Sequence, residues 1–408
     1  MHAPTAQRPF HLMAKPAGSA CNLACSYCFY ISRWDGKVRG MDEATLERFI
    51  IDYIAAQPGP EVTFGWQGGE PTLMGLDFFR RALELQRKHC PPGKTVQNAL
   101  QTNGTLLDDA WCAFLRDERF LVGLSIDGPA KTHDSRRVDR GGKPTSERVR
   151  EAAELLRRNR VEFNIMCVVG SHNAHAPLQV YRFLRRLGSP FIQFIPLVER
   201  RSSDKPHDFA APEQDEPGRP LDPTSVSPEA WGGFLRGVFD EWITCDVGRI
   251  FIRDFDNWLG MWTGLPSSLC VHAETCGNAM AVEADGTVYS CDHYVYPAYR
   301  LGRLGEQDLA AMVESPLQRK FGLDKRDTLP QKCLDCRWRK LCHGGCPKHR
   351  FPAEQGAPPA PHLCQGWMDF FAHAAPGFEA MAALLARQQA PALVMQDRAV
   401  LRQLGVVR

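Results

Sequence analysis

Cys21-Asn22-Leu23-Ala24-Cys25-Ser26-Tyr27-Cys28 sets three thiols at spacings of three and then two intervening residues. Spacings this short let three sulfurs converge on one metal cluster. A four-iron cluster takes four cysteines as its usual complement. Three leave one iron open, free to chelate a small molecule through an amine and a carboxylate. Zinc is the other reading, but it normally takes four protein ligands, and three-ligand zinc sites usually include histidine. The stretch follows the apolar His11-Leu12-Met13, so it sits on a loop after the first strand.

Working outward, short apolar runs alternate with amphipathic stretches. The pattern predicts strands at Glu61–Trp66, Val96–Gln101, Leu121–Ile126, Val161–Val169 and Phe191–Ile195. Helices are predicted near Leu76–His89, Asp108–Arg116, Ser146–Asn159, Leu178–Leu187 and, further on, Ala230–Thr244. Repeating strand–helix order implies an α/β fold with a parallel sheet, whose ligand chemistry sits at the C-terminal strand ends. Arg200 to Glu229 is rich in Pro, Asp and Ser and reads as an exposed connector. From Cys270 onward periodicity fades, and Cys, Gly and Pro suggest a small domain held by metal more than by a large core.

Eight further cysteines lie there: Cys270, Cys276, Cys291, Cys333, Cys336, Cys342, Cys346 and Cys364. Eight thiols make two complete four-ligand sites, and spacing alone leaves zinc and iron–sulfur clusters both open. Asp292 directly follows Cys291, where a carboxylate could accept a proton while an electron leaves through metal. It could equally hold a turn. Cys112 and Cys167 have apolar neighbours and read as core residues; Cys90 and Cys245 receive no role.

The 408 residues suffice for two or more domains. A net charge of +2 gives no reason to expect a nucleic-acid or anionic-membrane partner. No apolar run has membrane-spanning length, and Met1 to Phe10 lacks a signal-peptide core, so the expected compartment is the cytoplasm. There, fifteen cysteines favour metal binding over disulfides.

The Cys21–Cys28 pattern resembles the signature of the radical S-adenosylmethionine superfamily. Gly68-Gly69-Glu70-Pro71 after the Glu61–Trp66 strand matches that superfamily's Gly-Gly-Glu motif. Ser125-Ile126-Asp127-Gly128-Pro129, His133-Asp134 with Arg137, and Gln193 to Val198 also look like its motifs. The downstream pattern resembles a SPASM-type C-terminal domain. Leu269–Gly277, Asp285–His293 and Cys342–Lys348 narrow the likeness to the anaerobic sulfatase-maturating enzymes.

The resemblance implies a partial, TIM-like (β/α)6 barrel followed by a small cysteine-rich iron–sulfur domain. It divides the chain into a tail (1–9), the radical core (10–199), a connector (200–229), a helical bridge (230–269), the SPASM-type domain (270–375) and a helical tail (376–408). It implies three four-iron clusters. Cys21, Cys25 and Cys28 would hold the first. Cys270, Cys276, Cys291 and Cys346 would hold the second, and Cys333, Cys336, Cys342 and Cys364 the third. S-adenosylmethionine would meet Tyr27, Gly68, Gly69, Glu70, Ser125, Arg137 and Val198, with Glu70 accepting from its ammonium.

The implied reaction cleaves S-adenosylmethionine to methionine and 5′-deoxyadenosine and oxidises the Cys or Ser of a sulfatase C/S-x-P-x-R motif to Cα-formylglycine. Asp292 would be the base. The substrate would be an unfolded sulfatase polypeptide, and an electron donor such as flavodoxin or ferredoxin would supply the reducing electron. Peptide crosslinking by a related SPASM enzyme and a non-catalytic zinc protein are the rival readings.

Overall fold

The computed structural model describes residues 5–33, 36–203, 208–211, 216–352 and 358–407. The first strand, β1 (His11–Ala14), leads through helix α1 (Glu43–Ala56) to β2 (Glu61–Trp66). There follow α2 (Gly75–His89), β3 (Thr95–Thr102), α3 (Asp109–Asp117) and β4 (Leu121–Ser125). A short turn of helix, α4 (Ala130–His133), precedes α5 (Ser146–Arg158), β5 (Phe163–Val169), α6 (Pro177–Arg185) and β6 (Phe191–Pro196). These six strands pair in sequence order and all in parallel. Parallel neighbours need crossovers, and the helices supply them.

Local chemistry sets the helix ends. Asp42 caps α1 by accepting from the Thr45 N–H at 2.8 Å. In α2, Asp77 stands in the first turn and Arg87, Lys88 and His89 in the last, each complementing the helix dipole. Along β5 buried and half-buried residues alternate, so one face packs under the helices while Asn164, Met166 and Val168 turn to the barrel interior. Trp66, Phe64 and Phe79 are almost wholly buried behind the sheet, each worth about 1.5–3 kcal/mol relative to exposure.

The sheet does not stop at six strands. After α7 (Pro228–Cys245), strand β7 (Phe251–Ile252) extends β6 and leads directly into α8 (Arg253–Trp262). At the opposite edge β8 (Ala279–Val282) pairs in parallel with β1, and β9 (Thr287–Tyr289) and β10 (Arg300–Arg303) continue antiparallel. The result is one ten-stranded sheet, β10-β9-β8-β1-β2-β3-β4-β5-β6-β7.

Two expectations need amending. The cysteine-rich region is built onto the barrel sheet and onto an aromatic core of Trp258, Trp367, Phe370 and Phe371, the last three on the helix Cys364–Ala386. The described part of the 200–229 stretch is not simply exposed. Arg200 is buried with its guanidinium 4.7 Å from the Phe351 ring centre, Arg201 pairs with Asp222, and Val226 enters the core. Residues 204–207 and 212–215 of that stretch, 1–4 of the N-terminal tail, 353–357 of the cysteine-rich domain and 408 lie outside the described residues. Among the described residues, no helix is long and apolar enough to cross a membrane.

Candidate functional site

The Cys21–Cys28 loop lies beyond the C-terminal end of β1, against the turn that follows β2. The Glu70 N–H donates to the Ala20 carbonyl at 2.8 Å. Gly69 has φ +53°, and a Cβ there would stand 2.1 Å from that same carbonyl oxygen. Only glycine permits this approach. Burial pushes the Cys21 thiol up to about 12, with Glu70 and the other two cysteines adding to it. Burial likewise raises Cys25 to about 11, against the pull of Arg137, and raises Cys28. Three neighbouring thiols that resist ionising alone suit a site whose metal supplies the balancing charge.

Tyr27 and Arg137 come together. The Arg137 guanidinium donates to the Tyr27 hydroxyl at 2.8 Å, and that hydroxyl donates to Asp127 at 2.5 Å. Asp127 also accepts from the Val168 N–H at 3.1 Å, which locks the end of β5 into the network. The sequence motif that contains Asp127 assigned it no role. Ser125 closes β4 and accepts from Gln101 at 2.9 Å. Val198 is buried in the apolar core just past β6.

Glu70 is buried at the turn after β2. Its carboxylate already accepts from the N–H and hydroxyl of Thr72, the hydroxyl of Thr102 and the N–H of Asn103 at 2.7–3.1 Å. Three of these donors meet Oε1 and one meets Oε2, so the side chain ties the turn to the end of β3 and keeps room on Oε2 for one further donor.

The eight downstream cysteines form two groups that interleave in sequence. Cys270, Cys276, Cys291 and Cys346 perturb one another's ionisation. Cys333, Cys336, Cys342 and Cys364 form the other set and line a cavity of about 270 Å³ with Trp338, Trp367 and Phe371. Among the described residues no three His, Cys, Asp or Glu side chains converge tightly enough to hold a single ion. Thiols set around a cavity fit a multi-atom cluster, whose sulfur ligands stand further apart than those of one tetrahedral zinc. Cys112 and Cys167 are fully buried in the core, as their neighbours suggested.

Asp292 sits beside the first group, 3.8 Å from the Cys291 sulfur, with His293 Nε2 3.9 Å from its carboxylate. Burial works to raise its carboxyl, but His293, Lys15, Lys348 and the Cys291 thiol together hold it below the usual range. Lys15 is the residue after β1, buried with its ammonium 4.4 Å from the Tyr30 ring centre. Tyr30 in turn donates to Glu283, the residue after β8. A carboxylate ionised at neutral pH thus lies beside the junction of β1 and β8. It can act as a proton acceptor.

Residues 16–184 match the radical SAM superfamily and residues 270–337 match an iron–sulfur cluster-binding domain. Fold and site together define a radical S-adenosylmethionine enzyme with a SPASM-type domain. A serine-type anaerobic sulfatase-maturating enzyme of Bacteroides thetaiotaomicron is 42% identical over 400 residues, covering 97% of this chain and 96% of the relative. A cysteine-type anaerobic sulfatase-maturating enzyme of Clostridium perfringens is 36% identical over 377 residues, covering 90% of this chain and 97% of the relative. The solved structure of native anSMEcpe with bound AdoMet and Cp18Cys peptide superposes with a TM-score of 0.82 at 36% identity, covering 92% of this chain and 99% of that one. The chain belongs to the anaerobic sulfatase-maturating enzymes.

Proposed function

We propose that this protein oxidises a cysteine or serine in the C/S-x-P-x-R motif of a sulfatase polypeptide to Cα-formylglycine, in the cytoplasm and before the sulfatase folds. The observation that carries this reading is Asp292, an ionised carboxylate next to Cys291 and within the field of Lys15.

Cys21, Cys25 and Cys28 would hold the front cluster with one iron left for S-adenosylmethionine. Gly68 and Gly69 would let backbone approach its methionine part, Glu70 would accept from its ammonium while tying the turn to β3, and Tyr27, Ser125, Arg137 and Val198 would surround the rest. When bound, cluster and S-adenosylmethionine supply hydrogen-atom abstraction, with methionine and 5′-deoxyadenosine as by-products. Asp292 takes the proton from the substrate thiol or hydroxyl. Oxidation of the side chain removes a hydrogen atom, that proton and one electron, which would leave through clusters held by the downstream cysteines; in the cysteine case water replaces the thioaldehyde sulfur, which leaves as hydrogen sulfide.

The two downstream quartets would hold two further four-iron clusters, three in all. The chain divides by role into the core 10–199, the bridge 230–269 and the cluster-bearing 270–375, flanked and joined by 1–9, 200–229 and 376–408. A flavodoxin or ferredoxin would supply the reducing electron.

The test is an anaerobic assay with a Cys-x-Pro-x-Arg and a Ser-x-Pro-x-Arg peptide. The expected outcome is an aldehyde on at least one peptide, together with 5′-deoxyadenosine. Asp292→Asn should still cleave S-adenosylmethionine while its aldehyde yield falls at least tenfold. Cleavage by the parent protein without aldehyde on either peptide would overturn the assignment, and an unchanged yield in the variant would remove Asp292 from the chemistry.

A further inference from the structure

The helix Pro316–Asp327 grips the backbone of the first group of downstream cysteines with one face. Gln318 Nε2 donates to the carbonyls of Gly277 and Ser290, at 2.8 and 3.2 Å, residues that adjoin Cys276 and Cys291. One turn on, Gly322 accepts from the Cys276 N–H at 3.0 Å, and a Cβ on Gly322 would stand 2.7 Å from the Cys276 carbonyl oxygen. One turn further, Lys325 Nζ donates to the carbonyls of Cys270 and Val271, at 2.5 and 3.0 Å.

Arg350 carries the contact on to the second group. Its guanidinium donates to the Lys325 carbonyl at 2.6 Å and to the carbonyls of His343 and Gly344, each at 2.9 Å. These last two lie between Cys342 and Cys346, in a loop that gives one cysteine to each group. One chain of contacts thus runs from Cys270 through Lys325 and Arg350 to both sets of thiols.

The two cations are buried, Lys325 1% and Arg350 6% exposed. Their hydrogen bonds end on backbone carbonyls, and among the described residues neither has a carboxylate partner. Asp324, next to Lys325 in the chain, pairs with Lys320. A buried charge without a counterion is costly. The groups that can offset Lys325 are Cys270, Cys276 and Cys346, all of the first group. For Arg350 they are Cys276, Cys333 and Cys346, which span both groups, and Tyr294, whose hydroxyl burial keeps protonated. The missing negative charge is therefore that of the two cysteine sites. A cluster held by four thiolates is anionic, and each electron it gains adds one more negative charge. A fixed cation in a poorly screened interior favours that gain.

We propose that Lys325 and Arg350 make the downstream sites electron acceptors: their uncompensated charge favours the reduced form, Lys325 at the first group and Arg350 at both. They act through the clusters and are positioning residues. One electron arrives from the oxidised cysteine or serine, and one leaves to a carrier of the flavodoxin or ferredoxin class, so the sites return to their starting state. The assignment rests on the formylglycine reading for the source of the electron, but not for the charge effect.

The experiment is an anaerobic redox titration, followed by electron paramagnetic resonance, of the cluster-loaded full chain carrying Cys21→Ala, Cys25→Ala and Cys28→Ala, so that only the downstream sites respond. Lys325→Gln should lower one midpoint and Arg350→Gln both. Each fall should reach about tenfold in the reduction equilibrium, which is about 59 mV for a one-electron couple. Lys325→Arg and Arg350→Lys keep the charge and should stay within about twofold of the parent. With the front cysteines restored, Lys325→Gln should form about threefold less aldehyde per 5′-deoxyadenosine, and Lys325→Arg as much as the parent.

Unmoved midpoints in the two glutamine variants, with their iron retained, would overturn the proposal. So would a fall in Lys325→Arg as large as that in Lys325→Gln, or an unchanged aldehyde ratio in Lys325→Gln. Should both glutamine variants lose iron, the parent decides. Buried cations are little screened, so raising potassium chloride from about 0.05 to about 1 M should move its midpoints by less than about twofold in the same equilibrium. A tenfold fall would assign them to the exposed Lys332, Arg337, Arg339 and Lys340 instead. Midpoints that shift as expected in a protein that forms no aldehyde keep the role of the two cations and lose the formylglycine reading.

Discussion

Lys348 donates to Glu199 at 2.5 Å, and both side chains are buried. Lys348 lies two residues beyond Cys346, Glu199 just past β6, and the same ammonium stands 4.2 Å from the ring centre of Phe29, next to Cys28. One ion pair therefore fastens the C-terminal cluster region to the barrel beside the front loop. Removing one partner strands the other charge in the interior. Glu199→Gln or Lys348→Met alone should each cost about 3–5 kcal/mol, whereas the double variant should cost clearly less than the sum. Anaerobic urea denaturation of the four proteins measures this. Additive losses would mean that the pair contributes no coupling.

Gly69→Ala tests the contact between the turn and the front loop. The new methyl cannot coexist with the Ala20 carbonyl, so the chain just before Cys21 must shift. The variant should lose its front cluster and its S-adenosylmethionine cleavage while the other eight cysteines keep theirs. On the proposed three four-iron clusters, iron content should fall from about twelve to about eight per chain. A full complement of iron with normal cleavage would show that the loop tolerates the displacement.

His133 gives the structure a pH dependence that can be assigned. Its Nδ1 accepts from the Asp127 N–H, Nε2 meets the Thr145 hydroxyl at 3.0 Å, and burial, aided by Arg137, lowers its pKa to about 4. The unfolded chain binds a proton near pH 6.5 and the folded one only near 4. The stabilisation is therefore complete above 6.5 and is lost as pH falls through that window. Between pH 7.5 and 5.5 the parent should lose about 1.4 kcal/mol more than His133→Gln. Equal losses in denaturation curves at the two pH values would show that His133 is not the group responsible.

Much of this was legible in the chain because the signals are local. The six barrel strands β1 to β6 are runs of four to eight residues, and Glu61–Trp66 matches its predicted limits. The thiols announce themselves by spacing. Helix α1 was not foreseen, although Asp42 and Thr45 mark its start. Strands β8 to β10 have only three or four residues each and exist through pairing with β1 and with one another, which no window of sequence displays. The same holds within the site. Cys346 stands between Cys342 and Cys364 in sequence yet groups with Cys270, Cys276 and Cys291. Asp127 belongs to the Ser125–Pro129 motif but has no role there until the fold brings Tyr27 and the end of β5 to it. The carboxylate of Glu70 is claimed by Thr102 and Asn103, residues that only the pairing of β2 with β3 sets beside it.

The pairing of β1 with β8 bears on how the chain is made. The strand synthesised first is flanked on one side by a strand that leaves the ribosome more than 260 residues later. Until then β1 presents a bare edge of N–H and C=O groups, open to any other strand. A fragment ending before Ala279 keeps that edge for good, so the barrel half is no independent module: its solubility depends on the half that carries the other clusters.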